Sequence, residues 1–134
     1  MKMRDAMWRG WLKNYWQERN EGNPPIYREE ASEMLRWLPL LGSHFSEGVA
    51  LLIDGEVENI NTKVFLHQFE NTYTKYKSSS IRLLKYLLEH GKKDLYSYHV
   101  MKEMIESLKE DLTDADQKQF TILFDDYMIT LRNS

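Results

Sequence analysis

The feature that most constrains the fold is the spacing of apolar residues, which recur every three or four positions from Trp8 to Leu131. This spacing is typical of α-helices that bury one face. No segment alternates apolar and polar residues over several positions, no Asn-Gly hairpin turn occurs, and no unit repeats at a fixed period. The chain is therefore predicted to be all-α, an irregular helical bundle or stacked helical hairpins of about seven helices.

Two predicted helices near the N-terminus contain every tryptophan of the chain. The first carries Trp8, Trp11 and Trp16 on one face and ends at the Gly-Asn-Pro-Pro segment 22–25, because proline cannot continue a helix. The second follows that segment and carries Trp37. Their large rings favour an antiparallel helix pair that nucleates the core. The alternative is that the four tryptophans are exposed and form a protein-binding surface.

Five further helices are predicted after residue 43, each from an apolar stripe with a cap or a turn beside it. The polar segment 54–61 has the weakest apolar pattern, and it is the predicted place of a possible divide between an N-terminal and a C-terminal helical half. The predictions are a short helix after Ser43 or Ser46, one from Asn61 or Thr62 through Tyr76, one after the serines 78–80 that ends at His90 and Gly91, one capped by Asp94 that reaches Leu112, and one that begins with a Thr113–Asp116 capping box and reaches Leu131.

Length and composition predict a single cytoplasmic domain over residues 1–134. A chain of 134 residues and 16.1 kDa can bury about two thirds of its unfolded surface. It has no cysteine, which excludes disulfides, thiolate metal ligands and a cysteine nucleophile, and fits a reducing compartment. No apolar run is long enough for a signal region or a membrane span.

Candidates for catalysis and metal binding are few. In His67-Gln68-Phe69-Glu70 the histidine precedes the glutamate, which is the reverse of the Glu-x-x-His order of di-iron bundles. No His-Glu-x-x-His zinc pattern occurs. The segment 111–125 contains four aspartates, but it lacks the glycine and the bidentate glutamate of a calcium-binding loop. Neither a phosphate-binding glycine loop nor a nucleophile elbow is present. We predict no cofactor, no metal and no catalytic residue, and an enzyme remains the third alternative. The four histidines considered are His44, His67, His90 and His99.

Charge is unevenly distributed, although the net charge is only −3. Residues 75–93 carry a local net charge of +5, and residues 101–134 carry −4. The two segments can neutralise each other between neighbouring helices, or the basic segment can bind nucleic acid. The candidate nucleic-acid-binding residues are Lys75, Lys77, Arg82, Lys85, Lys92 and Lys93.

The first predicted helix also combines basic residues with tryptophans, a composition that can lie on an anionic membrane surface. Asp5 and Glu18 weaken that attraction, and the downstream helices offer its apolar face a protein partner. We therefore predict no membrane association.

One series of residues has a recognisable order: Trp11, Tyr15, Trp16, Arg19, Gly22, Pro24, Glu30, Met34, Leu35, Trp37, Phe45 and Val49. A leucine-rich helix, a Lys-Asp-Leu-Tyr joint, a helix ending at Leu108 and a final aromatic helix follow. This order resembles the helical C-terminal segment of large bacterial proteins that carry sirtuin-like or nucleotide-hydrolysing domains and are associated with antiphage defence. The resemblance implies a helical scaffold or interaction module. It carries no catalytic residue, because the enzymatic domains of those proteins lie outside the resembling segment.

These observations favour a protein–protein interaction module, a subunit or adaptor of a bacterial complex that binds another protein through Trp8, Trp11, Trp16 and Trp37. The alternative is a nucleic-acid-binding accessory protein that uses residues 75–93. Because an aromatic-rich helix pair can be self-complementary, a homodimer is as consistent with the sequence as a monomer.

Overall fold

The structure is a computed structural model that describes Leu38 and the ranges 44–54, 60–70 and 73–133. Within these residues it contains α-helices and no β-strand, which confirms the all-α class for this part of the chain. The two predicted N-terminal helices, with all four tryptophans, lie outside it. The described helices are α1 (Phe45–Asp54), α2 (Thr62–Phe69), α3 (Lys77–His90), α4 (Leu95–Ser107) and α5 (Asp114–Arg132), and a short 3-10 helix, Lys109–Asp111, joins α4 to α5.

One hydrophobic cluster connects the five helices. Helix α3 packs against α1 and α5, and α4 packs against α2 and α5. The leucine stripe predicted for α3 is buried, including Leu84 and Leu87 at 0% exposure. The ring of Phe45 stacks on Phe69 with centroids 5.8 Å apart and on Tyr76 at 5.4 Å. Aromatic contacts therefore join α1, α2 and the residue before α3.

Helix α2 is shorter than the sequence predicts. It ends at Phe69, and residues 73–75 form a turn, so Tyr73 and Tyr76 do not continue its apolar face. Both rings still contact the core. The ring centroid of Tyr73 lies 5.9 Å from that of Phe69, and the ring centroid of Tyr76 lies 5.4 Å from that of Phe45. The prediction was wrong because tertiary ring contacts can preserve an apolar spacing that looks helical in the sequence.

The predicted break and N-cap at serines 78–80 is also wrong. Helix α3 begins at Lys77 and runs through the serines, and the cap position is held by Tyr76 without a side-chain hydrogen bond. The hydroxyl groups of Ser46 and Ser79 lie 2.8 Å apart. These short side chains therefore allow α1 and α3 to approach closely at this point.

The predicted caps of the last two helices are confirmed. The Asp94 carboxylate accepts a hydrogen bond from the Ser97 backbone N–H at 2.7 Å, and Thr113 and Asp116 form a complete capping box. The length predicted for α4 was wrong, because α4 ends at Ser107 and Leu112 has extended backbone angles after the 3-10 helix. The side chain of Leu112 is nevertheless buried.

The phenol of Tyr127 ties the start of α4 to the C-terminal half of α5. Its hydroxyl oxygen accepts a hydrogen bond from the Asp94 N–H at 2.8 Å, and the hydroxyl donates to the Asp94 carbonyl at 3.0 Å. Burial raises the pKa of Tyr127 above its ordinary value of 10.0. Because α4 and α5 are also joined by a short connection at their other ends, the two helices form an antiparallel hairpin.

Residue 91, which directly follows α3, is glycine for a steric reason. Its backbone angles, φ −76° and ψ 157°, are accessible to any residue. A Cβ atom at this position would lie 2.5 Å from the Thr62 methyl group and 2.7 Å from the Leu87 carbonyl oxygen. The Lys92 N–H donates to the Ile60 carbonyl at 2.8 Å beside it. Glycine is therefore required by the close approach of the segment at 60–62, and not by a left-handed backbone.

Candidate functional site

The predicted protein-binding residues Trp8, Trp11, Trp16 and Trp37 lie outside the residues that the structure describes. The described surface offers three other features for a functional site. They are the basic segment 75–93, a groove between α4 and α5, and the side of α5 that faces away from the core.

Two of the six basic residues of segment 75–93 form ion pairs with acidic residues elsewhere in the chain. The Lys77 amino group lies 3.3 Å from an Asp111 carboxylate oxygen, and the Lys85 amino group lies 2.6 Å from Asp116. This is the neutralisation between neighbouring helices that the charge pattern allows. The Lys77 pair is half-exposed and therefore contributes little to stability.

Three further residues of this segment remain accessible to a ligand. Lys75, Arg82 and Lys92 are exposed, and none of them takes part in the ion pairs found among the described residues. Lys93 is partly covered, because its amino group donates to the Glu89 carbonyl at 3.4 Å and lies 5.4 Å from the centre of the Tyr127 ring. The surface that could bind a polyanion is therefore smaller than the sequence suggests, and nucleic-acid binding stays a prediction.

Lys85 and Asp116 form the most enclosed ion pair among the described residues, with exposed side-chain fractions of 23% and 24%. The amino group of Lys85 also lies 5.7 Å from the centre of the Phe120 ring. The hydrogen bond from Lys85 is the main reason that the pKa of Asp116 is lowered from 3.8, and the capping bonds with Thr113 act in the same direction. The ion pair and the helix cap thus share one carboxylate.

Replacing Lys85 by methionine is expected to weaken the acid dependence of stability. Since the folded pKa of Asp116 is lowered, its stabilising contribution is present above the unfolded value of 3.8 and is lost as the pH falls below it. We expect the wild type to lose about 1 kcal/mol more than the Lys85→Met variant over this acidic range. Urea unfolding at a series of pH values measures the difference.

The matched control for this prediction is Lys77→Met, which removes the more exposed pair with Asp111. That variant should keep the acid dependence of the wild type. Parallel stability curves for Lys85→Met and the wild type below the unfolded pKa would show that Lys85 does not govern the titration of Asp116.

A groove of about 290 Å³ lies between α4 and α5. Its apolar wall includes the buried side chains of Ile105, Phe120 and Phe124. Its polar wall includes Lys102 and Asp125, and the remaining lining residues are Tyr98, Glu106, Lys109, Leu112, Gln117 and Thr121. Such a groove can receive an apolar side chain and offer charged groups of both signs around it.

The outward side of α5 carries two isoleucines, Ile122 at 60% exposure and Ile129 at 56%. Each lies two residues from core positions such as Phe120, Phe124 and Tyr127, and two residues correspond to about 200° around a helix. Neither isoleucine belongs to the core stripe that the sequence predicts for this helix, so neither was a predicted site residue. The signal was present, because two isoleucines seven residues apart lie off that stripe.

The histidines do not converge on one site. His67 and His99 are exposed on α2 and α4, whereas His44 and His90 lie at helix ends. The His44 Nδ1 atom is 3.6 Å from a Glu47 carboxylate oxygen. Within the described ranges, no group of three or more His, Cys, Asp or Glu side chains is placed to hold a metal ion.

None of the helices in the described part of the chain has the length and apolar character needed to cross a membrane. Comparison with protein-family models, with curated proteins and with solved structures finds no match to this chain.

Proposed function

We propose that this chain is a protein–protein interaction module, a subunit or adaptor of a larger complex, without catalytic activity of its own. The sequence resemblance implies a bacterial, defence-related complex, and the lack of cysteine fits a reducing compartment such as the cytoplasm. The proposal includes a bundle of about seven helices, in which the predicted N-terminal pair with Trp8, Trp11, Trp16 and Trp37 supplies one part of the binding surface.

The observation that carries the proposal is the groove between α4 and α5. Its lining combines buried apolar side chains with the charged side chains of Lys102 and Asp125. Interface hot spots are apolar or aromatic side chains seated in pockets of this kind, surrounded by polar contacts that exclude water. A volume of about 290 Å³ suits one or two large side chains of a partner.

The alternative is a nucleic-acid-binding accessory protein. Its support is the exposed set Lys75, Arg82 and Lys92. Against it, Lys77 and Lys85 are already paired with carboxylates of the same chain. Three remaining cations would give weak binding to a polyanion, with a shallower salt dependence than all six would give.

The proposal is tested by capturing partners from a host lysate with the tagged full chain, with and without nuclease and at low and moderate salt. We expect a stoichiometric protein that survives both treatments. A Thr121→Arg change, which places a long side chain at the exposed wall of the groove, should reduce its affinity at least about tenfold.

The matched control is Thr130→Arg, the same change at an exposed position two and a half turns further along α5. Capture should be unchanged in this variant and in the Lys75→Gln/Arg82→Gln/Lys92→Gln variant. If capture instead disappears with nuclease and in the triple variant, the chain is the nucleic-acid-binding protein of the alternative.

A further inference from the structure

We infer that the outward side of α5 binds the same surface of a second copy of this chain, in an antiparallel pair with Ile122 at the two-fold axis. This inference is independent of the groove that carries the proposed function. Its basis is the self-complementary order of apolar and charged residues on an exposed helix face.

The outer face of α5, defined by Ala115, Lys118, Ile122, Asp126 and Ile129, is exposed along its length. Its three apolar members are seven residues apart. A step of seven residues rises about 10.5 Å and falls only about 20° short of two full turns. The three side chains therefore follow one nearly straight line, which is the arrangement that packs against a second helix.

In an antiparallel pair centred on Ile122, the residues on either side of Ile122 face partners of complementary size or charge. Ile122 meets its own symmetry mate, and Ala115 faces Ile129 of the second copy, so a small residue is opposite a large one in both outer layers. Lys118 faces Asp126 of the second copy, and the two-fold axis repeats this pair. Lys118 and Asp126 are exposed, and neither takes part in the ion pairs found among the described residues.

Other registers of the same face are electrostatically worse. A parallel pair places every charge opposite its own copy. An antiparallel pair centred between Asp125 and Asp126 brings the two isoleucines together but also sets carboxylate against carboxylate. Like charges in such positions oppose association, so the charge order selects the register centred on Ile122.

The contact is expected to be weak and concentration-dependent. The line from Ala115 to Ile129 spans about 21 Å of helix, and one helix pair of that length covers less surface than a standard interface. Sedimentation equilibrium of the full chain over a wide concentration range measures the dissociation constant of the pair. Urea unfolding at low concentration checks that each variant below keeps the monomer fold.

The decisive experiment is a charge exchange. Lys118→Glu alone, or Asp126→Lys alone, creates two like-charge pairs and should raise the dissociation constant at least about tenfold. The double variant Lys118→Glu/Asp126→Lys restores opposite charges and should return to within about threefold of the wild type. Lys63→Glu, the same charge change at an exposed residue of α2, should leave the constant unchanged.

Three results overturn the inference. The first is a wild-type chain that stays monomeric at its highest soluble concentration. The second is a dimer whose dissociation constant is insensitive to Lys118→Glu, and the third is a double variant that fails to recover. If the chain is monomeric and an Ile122→Ser change releases a different captured protein, the outer face of α5 belongs to that partner instead.

Discussion

Replacing Phe45 by alanine should lower the free energy of unfolding by about 3–5 kcal/mol, the largest effect of a single side chain expected here. The ring is fully buried and stacks on Phe69 and Tyr76, which belong to different parts of the chain. Alanine removes the ring from all of these contacts and leaves a cavity that the surrounding helices can fill only in part. For a domain whose whole stability is about 5–15 kcal/mol, this is a large fraction.

Urea unfolding followed by far-UV circular dichroism measures the loss. The midpoint should fall while the slope against urea stays near the wild-type value, because the folded state keeps its size. Leu95→Ala is the matched control, since Leu95 is 54% exposed and its truncation should cost below about 1 kcal/mol. Equal losses in the two variants would mean that the Phe45 ring does not join α1 to its neighbours.

Replacing Gly91 by alanine should destabilise the fold by about 1–3 kcal/mol through overpacking. The sign of this effect is informative. The backbone angles of Gly91 suit alanine, so the lower entropy of the unfolded chain alone would stabilise the variant by about 0.4–1 kcal/mol. The added Cβ atom, however, would lie 2.5 Å from the Thr62 methyl and 2.7 Å from the Leu87 carbonyl oxygen. We expect the steric term to dominate.

A second substitution separates the two contacts. Thr62→Ser removes the methyl group but keeps the hydroxyl, which lies 3.2 Å from the Ser97 hydroxyl oxygen. The Gly91→Ala change should therefore cost less in the Thr62→Ser background, with part of the loss remaining because of the Leu87 carbonyl. Additive losses, or a stabilised Gly91→Ala protein, would contradict the close approach of residues 60–62 to the end of α3.

The features that could be predicted from the sequence are local ones. The Asp94 cap and the Thr113–Asp116 capping box join residues three apart, so their hydrogen bonds depend on chemistry within a single helical turn. The leucine stripe of α3 is likewise set by apolar spacing along one segment. The limit of this reasoning appears at Tyr73 and Tyr76, where an apolar spacing persists after the helix has ended because the rings contact Phe69 and Phe45 across the core.

The candidate sites needed the tertiary structure. The sequence identified six cations between residues 75 and 93, but only the packing of α3 on α5 revealed that Lys85 is paired with Asp116, 31 positions away. The groove exists because α4 and α5 form an antiparallel hairpin. Ile122 and Ile129 could be identified as exposed only once the core side of α5 was known, because exposure depends on which neighbours a helix has.

The sequence by itself determined the helical class, the confirmed helix caps and the presence of opposite charges in two neighbouring segments. These properties arise from contacts within a few residues or from composition. The tertiary structure decided where α2 ends, why residue 91 is glycine, which lysines remain accessible and which side of α5 is left uncovered. Each of those outcomes depends on distances between residues remote in the chain, which apolar spacing and local hydrogen bonding do not specify.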